Sequence, residues 1–312
     1  MFSVVGAGVA GLCVTTVLAE RGLPVELLSD DSIPASHWAG GMLAPGCEGE
    51  SAPPEVIIAG VKAVEWWSSH VPGVVRRGTL VVAPPRDGAE LDRFARMTTG
   101  HAPADPATLE PDLAGRFARG LFFADEAHLD PRKAMAALRD RLTAMGISIR
   151  QGQPRGKIID CRGLAARDLL PDLRGVRGEM LIVDAPDVTL TRTIRLLHPR
   201  FPCYVVPRGA GRYMIGATTV ETDDPGPVTA RAVMELLSAA YTLHPGFAEA
   251  RLIETGAGLR PAFPDNIPRI REEGGRIHVN GMYRHGFLMA PALAEKLADH
   301  LMIRKEKTCE LN

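Results

Sequence analysis

Phe2-Ser3-Val4-Val5-Gly6-Ala7-Gly8-Val9-Ala10-Gly11 opens the chain, and the reading of this stretch decides the fold. Phe2 to Val5 is a short apolar run with strand character. Behind the glycines, Ala10, Cys13, Val14, Val17 and Leu18 recur at i, i+3, i+4, i+7 and i+8, the apolar stripe of one helix face. Gly22 stops that helix, and Pro24 to Leu28 forms the next strand. A GxGxxG between a strand and an amphipathic helix, with a second strand behind it, is a dinucleotide-binding fingerprint. Gly6 permits the tight turn, Gly8 lets a pyrophosphate approach the backbone, and Gly11 lets helix and strand pack closely. Val9 and Ala10 begin the helix whose free N–H groups would face the phosphates. The fold class this predicts is α/β, built on a Rossmann-like domain.

An acidic residue is expected ~20 residues beyond the glycines, on a ribose hydroxyl. That place holds Ser29, followed by Asp30 and Asp31. A serine hydroxyl bonds a ribose more weakly than a carboxylate, so Ser29 and Asp30 are both assigned to the adenosine end. The glycine motif alone does not separate NAD from FAD.

Working outward, Pro53 to His70 reads as helix and Gly78 to Ala83 as strand. Asp130-Pro131 supplies an N-cap and a first helical residue, with Met135, Leu138, Leu142 and Met145 as the buried face. Glu179 to Asp184, Cys203 to Pro207 and Arg212 to Ala217 are strand-like and separated by turns, which predicts an antiparallel sheet. Thr229 to Leu243 reads as helix, Arg276 to Val279 as a last strand, and Gly286 onward as a last helix. Two interleaved domains are therefore expected. Residues 1–50, 120–175 and 255–305 would bind the dinucleotide, and 51–119 and 176–254 the substrate. A flexible tail is expected over 306–312.

The 312 residues are 46% hydrophobic and 23% charged, enough for a sizeable core. Thirty-six basic residues against 37 acidic ones leave a formal net charge of −1, which points to neither nucleic acid nor an anionic membrane surface. No apolar run approaches the ~18 residues of a membrane-spanning helix. The N-terminus carries no signal-peptide pattern, so the cytoplasm is the expected compartment. The five cysteines are scattered without a CxxC and read as reduced thiols; no metal site is expected.

Further segments carry the chemistry. Ser36-His37-Trp38-Ala39-Gly40-Gly41-Met42-Leu43-Ala44-Pro45, followed by Glu48, crowds small residues where a flat ring system could pass. Ile158 to Ala166 combines a hydrophobic strand with a turn at Gly163. Cys203-Tyr204-Val205-Val206-Pro207-Arg208 precedes Gly216-Ala217-Thr218-Thr219, and Ala257-Gly258-Leu259-Arg260-Pro261 precedes Asp265 and Pro268. Asn280 to Pro291 couples Arg284 to the turn His285-Gly286 and then a helix start at Phe287 and Leu288. These segments resemble the D-amino-acid oxidase superfamily, and within it the thiamine-pathway glycine oxidases, from residue 1 to about 303.

The resemblance implies non-covalent FAD, a Rossmann-like FAD-binding domain interleaved with an antiparallel-sheet substrate domain, and oxidative deamination of glycine. Ser36, Gly40, Gly41, Met42 and Gly163 would contact FAD. His285, Gly286, Phe287 and Leu288 would stand at the flavin, where the helix N-terminus stabilises the negative charge of the reduced ring. Arg284 would be the primary clamp on the substrate carboxylate, with Arg260 secondary and Tyr204 presenting its hydroxyl. Arg208 is expected in a surface or interdomain ion pair. His37 and Trp38 are expected to pack, and His285 is not assigned as a base. Dioxygen would reoxidise the flavin to give peroxide, and a homo-oligomer is expected. Two other readings stay open: a D-amino-acid or sarcosine oxidase or dehydrogenase of wider specificity, and a non-catalytic FAD-binding protein.

Overall fold

The computed structural model describes the backbone of residues 1–310 and the side chains of residues 1–303. The tail expected over 306–312 lies outside the residues described in full. The opening stretch folds as strand Phe2–Val5 and helix Val9–Glu20, and Val25–Leu28 pairs parallel to Phe2–Val5. Gly6 takes a φ of +105°, and a Cβ there would lie 2.5 Å from the Cys161 carbonyl oxygen. A Cβ on Gly11 would lie 1.8 Å from the Gly6 carbonyl oxygen, so the helix can approach the turn this closely only with glycine.

Six strands form the first sheet, in the order Arg269–Glu273, Arg276–Asn280, Lys157–Asp160, Phe2–Val5, Val25–Leu28, Ile149–Arg150. All pair parallel except the Arg269–Glu273 edge. Helix Val9–Glu20 was expected to bury one face. Instead every residue from Val9 to Leu18 is buried, because helices Pro131–Ala144 and Gly286–Glu310 pack on its sides. The hydroxyls of Thr15 and Thr16 remain satisfied by donating to the carbonyls four residues back, at 2.7 and 2.8 Å. Asp130 caps Pro131–Ala144 as expected, accepting from the Arg132 and Lys133 N–H groups. Met145 lies past the last turn of that helix and is exposed rather than buried. The span 53–70 forms two helices, Pro54–Gly60 and Ala63–His70, instead of one.

The second sheet is large and almost wholly antiparallel. Its centre is Arg174–Asp184, Arg212–Gly216, Cys203–Gly209 and Thr193–Leu196. Thr79–Val82 joins Thr193–Leu196 in parallel and carries Gly120–Phe123 beyond it. Arg251–Ala262 pairs along the whole of Arg174–Asp184 as an outer strand. Gly120–Phe123 and Arg251–Ala262 thus hydrogen-bond into the larger sheet, although 120–123 and 255–262 were read with the dinucleotide-binding segments. Helix Ala230–Leu243 covers one face with Leu236, Ala239, Ala240 and Leu243. The opposite face presents Met180, Tyr204, Val206 and Met214 toward Trp38 and Met42. The molecule therefore has the mixed α/β architecture expected. Between the strand ends of the parallel sheet and this face lies a cavity of ≈ 630 Å³. No helix among the described residues is long and apolar enough to cross a membrane, and they contain no metal-binding cluster.

Candidate active site

In open parallel sheets ligands bind beyond the carboxyl ends of the strands. Gly6, Ser29, Arg162 and Gly163 stand there, and all line the cavity. Gly8, Val9, Ala10, Asp30, Ser36, Gly40, Gly41, Met42, Tyr204, Arg260, Arg284, His285, Gly286, Phe287 and Leu288 line it as well. Together with Gly6, Ser29 and Gly163, these account for every site residue expected from sequence except Gly11, which packs behind the turn.

The glycine-turn end can receive an anion at a helix start. Helix Val9–Glu20 has Gly8 at its N-cap and no side-chain cap there. The Val9 N–H donates to Ser36 Oγ at 3.2 Å, which ties the loop of Ser36 to the helix start. Ser29 Oγ accepts from the Asp31 N–H at 3.2 Å, and Asp30 accepts from the Ser32 N–H and hydroxyl at 3.1 and 2.6 Å. Both expected ribose partners thus sit in a local turn at the cavity edge. Arg208 departs from expectation. Among the described residues it forms no ion pair but donates to the carbonyls of Leu129 at 3.2 Å and Gly40 at 2.8 Å, so it staples the Gly40–Gly41 loop to the larger sheet. Burial pushes its guanidinium down to about 10. Trp38 packs closely enough on strand Arg251–Ala262 that a Cβ on Gly256 would lie 2.1 Å from its ring.

The opposite end gathers charge. Thr193–Leu196 and Cys203–Gly209 place Arg195 directly across from Tyr204, and Arg195 Nη1 donates to the Tyr204 hydroxyl at 2.6 Å. Tyr204 donates to Glu48 Oε1 at 3.2 Å. The Glu48 carboxylate also lies 3.5 Å from Arg284 Nη2 and 3.5 Å from His285 Nδ1. Burial alone would raise the Glu48 carboxyl. The positive charges of Arg284 and Arg195, with the nearby His285 imidazole and the Tyr204 hydrogen bond, reverse that and hold it at about 2. Arg195 is satisfied by the Cys47 carbonyl at 3.1 Å, by the Tyr204 hydroxyl and by Glu50.

Arg260 differs from these. Its Nη1 donates to the Thr218 carbonyl at 3.1 Å, and no carboxylate pairs with it among the described residues. Burial and the neighbouring Arg284 push its guanidinium down to about 10. A half-buried guanidinium with spare donors and no counter-charge attracts an anion. Sequence reasoning quoted Glu48 without a role and missed Arg195. The short strand Thr193–Leu196 that carries Arg195 has no motif, and its importance comes only from its register partner Tyr204.

The profile of the DAO family, described as FAD dependent oxidoreductase, matches residues 2–300. The chain belongs to this family. It is 55% identical over 311 residues to a Rhizobium etli protein named "Putative thiamine biosynthesis oxidoreductase ThiO", covering 95% of each chain. A glycine oxidase from Bacillus licheniformis is 25% identical over 351 residues, covering 98% of this chain and 94% of that one. The crystal structure of glycine oxidase from Geobacillus kaustophilus superposes with a TM-score of 0.80 at 24% identity, covering 96% and 93%. That likeness shows the fold.

The family's FAD fits the residues present. The uncapped helix start at Gly8 and the glycine turn would hold the phosphates, with Ser29 and Asp30 at the adenosine. Gly40, Gly41 and Met42 would border the ring, facing the Gly286 helix start. Among the described residues the cysteines are free and buried, and burial raises all four thiols, so none is disposed to act as a thiolate toward the ring.

Proposed function

We propose that this chain oxidises the amine of glycine and similarly small amino acids to the imine. Bound FAD supplies the two-electron acceptor for the α-carbon hydride, and dioxygen then takes the electrons to hydrogen peroxide. The observation that carries this reading is Arg260, a guanidinium with no carboxylate partner among the described residues, in the same cavity as the glycine turn and the Gly286 helix start. Arg260 holds the substrate carboxylate. Tyr204 lines the same cavity, and its 3.2 Å bond to Glu48 is the longer of its two and the one an incoming carboxylate competes for. Arg284, ranked first by sequence, already faces an internal carboxylate and becomes the secondary group.

Among the described residues the site offers no strong base. Glu48 is held at about 2, and burial lowers the His285 imidazole. The substrate amine therefore enters neutral or gives its proton to water. The named relatives support glycine as substrate and a place in thiamine biosynthesis. The same reading takes the enzyme to be a cytoplasmic homo-oligomer. Peroxide release in air with glycine, sarcosine, D-alanine and D-proline tests it. Highest kcat/KM with glycine supports the reading, and peroxide from none of the four refutes it.

A further inference from the structure

Three guanidiniums, those of Arg195, Arg260 and Arg284, line one end of the cavity. Their partners differ. Arg195 is held by Glu50, a carbonyl and a hydroxyl. Arg284 faces Glu48 at 3.5 Å. Of the three, only Arg260 lacks an anion among the described residues. The charge pattern therefore leaves one unneutralised cation where three converge.

We propose that Glu48 is a built-in occupant of a second anion subsite on Arg284, and that it restricts the pocket to ligands with a single carboxylate. This rests on the reading above, in which Arg260 takes the substrate carboxylate. The Glu48 side chain is 9% exposed and that of Arg284 is 28% exposed, so both reach the cavity wall. Glu48 is held there by its backbone. It ends the short helix Pro45–Glu48, and the neighbouring Cys47 is fixed at both polar groups. The Cys47 N–H donates to Glu126 Oε1 at 2.7 Å, and its carbonyl accepts from Arg195. Among the described residues, Glu48 Oε2 has no hydrogen-bond partner.

A ligand with a second carboxylate meets this side chain as a like charge in a partly desolvated site. Its second anion also finds Arg284 already neutralised. Rejection of this kind acts through repulsion and not through lost contact. A single-carboxylate ligand on Arg260 leaves the Glu48–Arg284 pair untouched. Replacement of Glu48 by its neutral isostere keeps an acceptor for the Tyr204 hydroxyl and releases Arg284 to bind an anion.

The test measures binding of unreactive anions to the FAD-loaded protein by calorimetry. The probes are acetate, with one carboxylate, and malonate, succinate and glutarate, with two at increasing separation. The wild-type protein is expected to bind acetate more tightly than any of the three. In Glu48→Gln, the best dicarboxylate is expected to gain about tenfold or more relative to acetate, a readily resolved difference. The double variant Glu48→Gln/Arg284→Met, which removes both charges, is expected to lose that gain. Wild-type preference for a dicarboxylate overturns the proposal without any variant. So does an unchanged ratio in Glu48→Gln, or a gain that survives in the double variant. Acetate binding that is indifferent to Arg260→Met overturns instead the reading of Arg260 on which the proposal stands.

Discussion

The carboxylate of Glu48 and the guanidinium of Arg284 face each other at 3.5 Å from positions 236 residues apart in the chain. One comes from a four-residue helix behind the Gly40–Gly41 loop, the other from the turn before the last helix. The pair thus ties two cavity-lining segments together. Arg284→Met leaves a buried carboxylate short of its main counter-charge. A fully buried pair loses ~3–5 kcal/mol when one partner goes. With Arg284 28% exposed, about 1–3 kcal/mol is expected. Arg284→Met/Glu48→Gln should recover part of it, which urea unfolding of the four proteins in a double-mutant cycle measures. Strict additivity would mean that the pair is not coupled.

Arg260 should dominate substrate binding. Arg260→Met removes charge-assisted hydrogen bonds to a carboxylate, at a cost of ~2–4 kcal/mol, or about 30- to 1000-fold in kcat/KM for glycine. Arg260→Lys should recover little, because an ammonium cannot form the planar fork. FAD content should stay near normal in both. Arg284→Ala should cost less than Arg260→Met. The reverse order in steady-state kinetics would restore Arg284 as the primary clamp.

Glu126 predicts a pH dependence of stability. Burial raises its carboxyl from 4.5 to about 7, with Glu48 adding to the rise and the Cys47 N–H opposing it. The folded state therefore favours the proton more than the unfolded state does. The stabilisation is complete below about 4.5, is lost progressively as pH rises, and is gone above about 7. The loss across that window is ~3 kcal/mol. Glu126→Gln should flatten the profile between these values and be more stable than wild type at pH 8. Its Oε1 can still accept from the Cys47 N–H. Parallel profiles for the two proteins in denaturant titrations would contradict the assignment.

Ser29 limits cofactor affinity if it faces the ribose as its position at the end of Val25–Leu28 implies. Ser29→Glu should tighten FAD by ~1–2 kcal/mol, the difference between a charged and a neutral acceptor. Fluorescence titration of the apoprotein reads this directly. Equal or weaker binding would assign the ribose to Asp30 or to the backbone.

The dinucleotide half of the fold was legible because its signals are local. Gly6 and Gly11 are demanded by backbone contacts within one strand–turn–helix unit, and Asp130 caps the helix that it precedes. The lining of the cavity was legible where a motif carries it, as at Gly40–Gly41 and at Arg284. The charge relations were not legible. Arg195 matters through cross-strand pairing with Tyr204, and Glu48 through contact with a turn 236 residues away. Neither leaves a trace in spacing. Arg208 misled for the same reason: a charged residue at a strand end reads as an ion-pair partner, yet here it binds carbonyls.

The most direct measurement mixes the FAD-loaded protein with glycine in the absence of oxygen and follows the flavin absorbance. The yellow colour is expected to bleach with glycine, and Arg260→Met is expected to slow this about 30-fold or more at subsaturating glycine, with its flavin content unchanged. Protein that keeps its oxidised spectrum at saturating glycine, sarcosine, D-alanine and D-proline would contradict this.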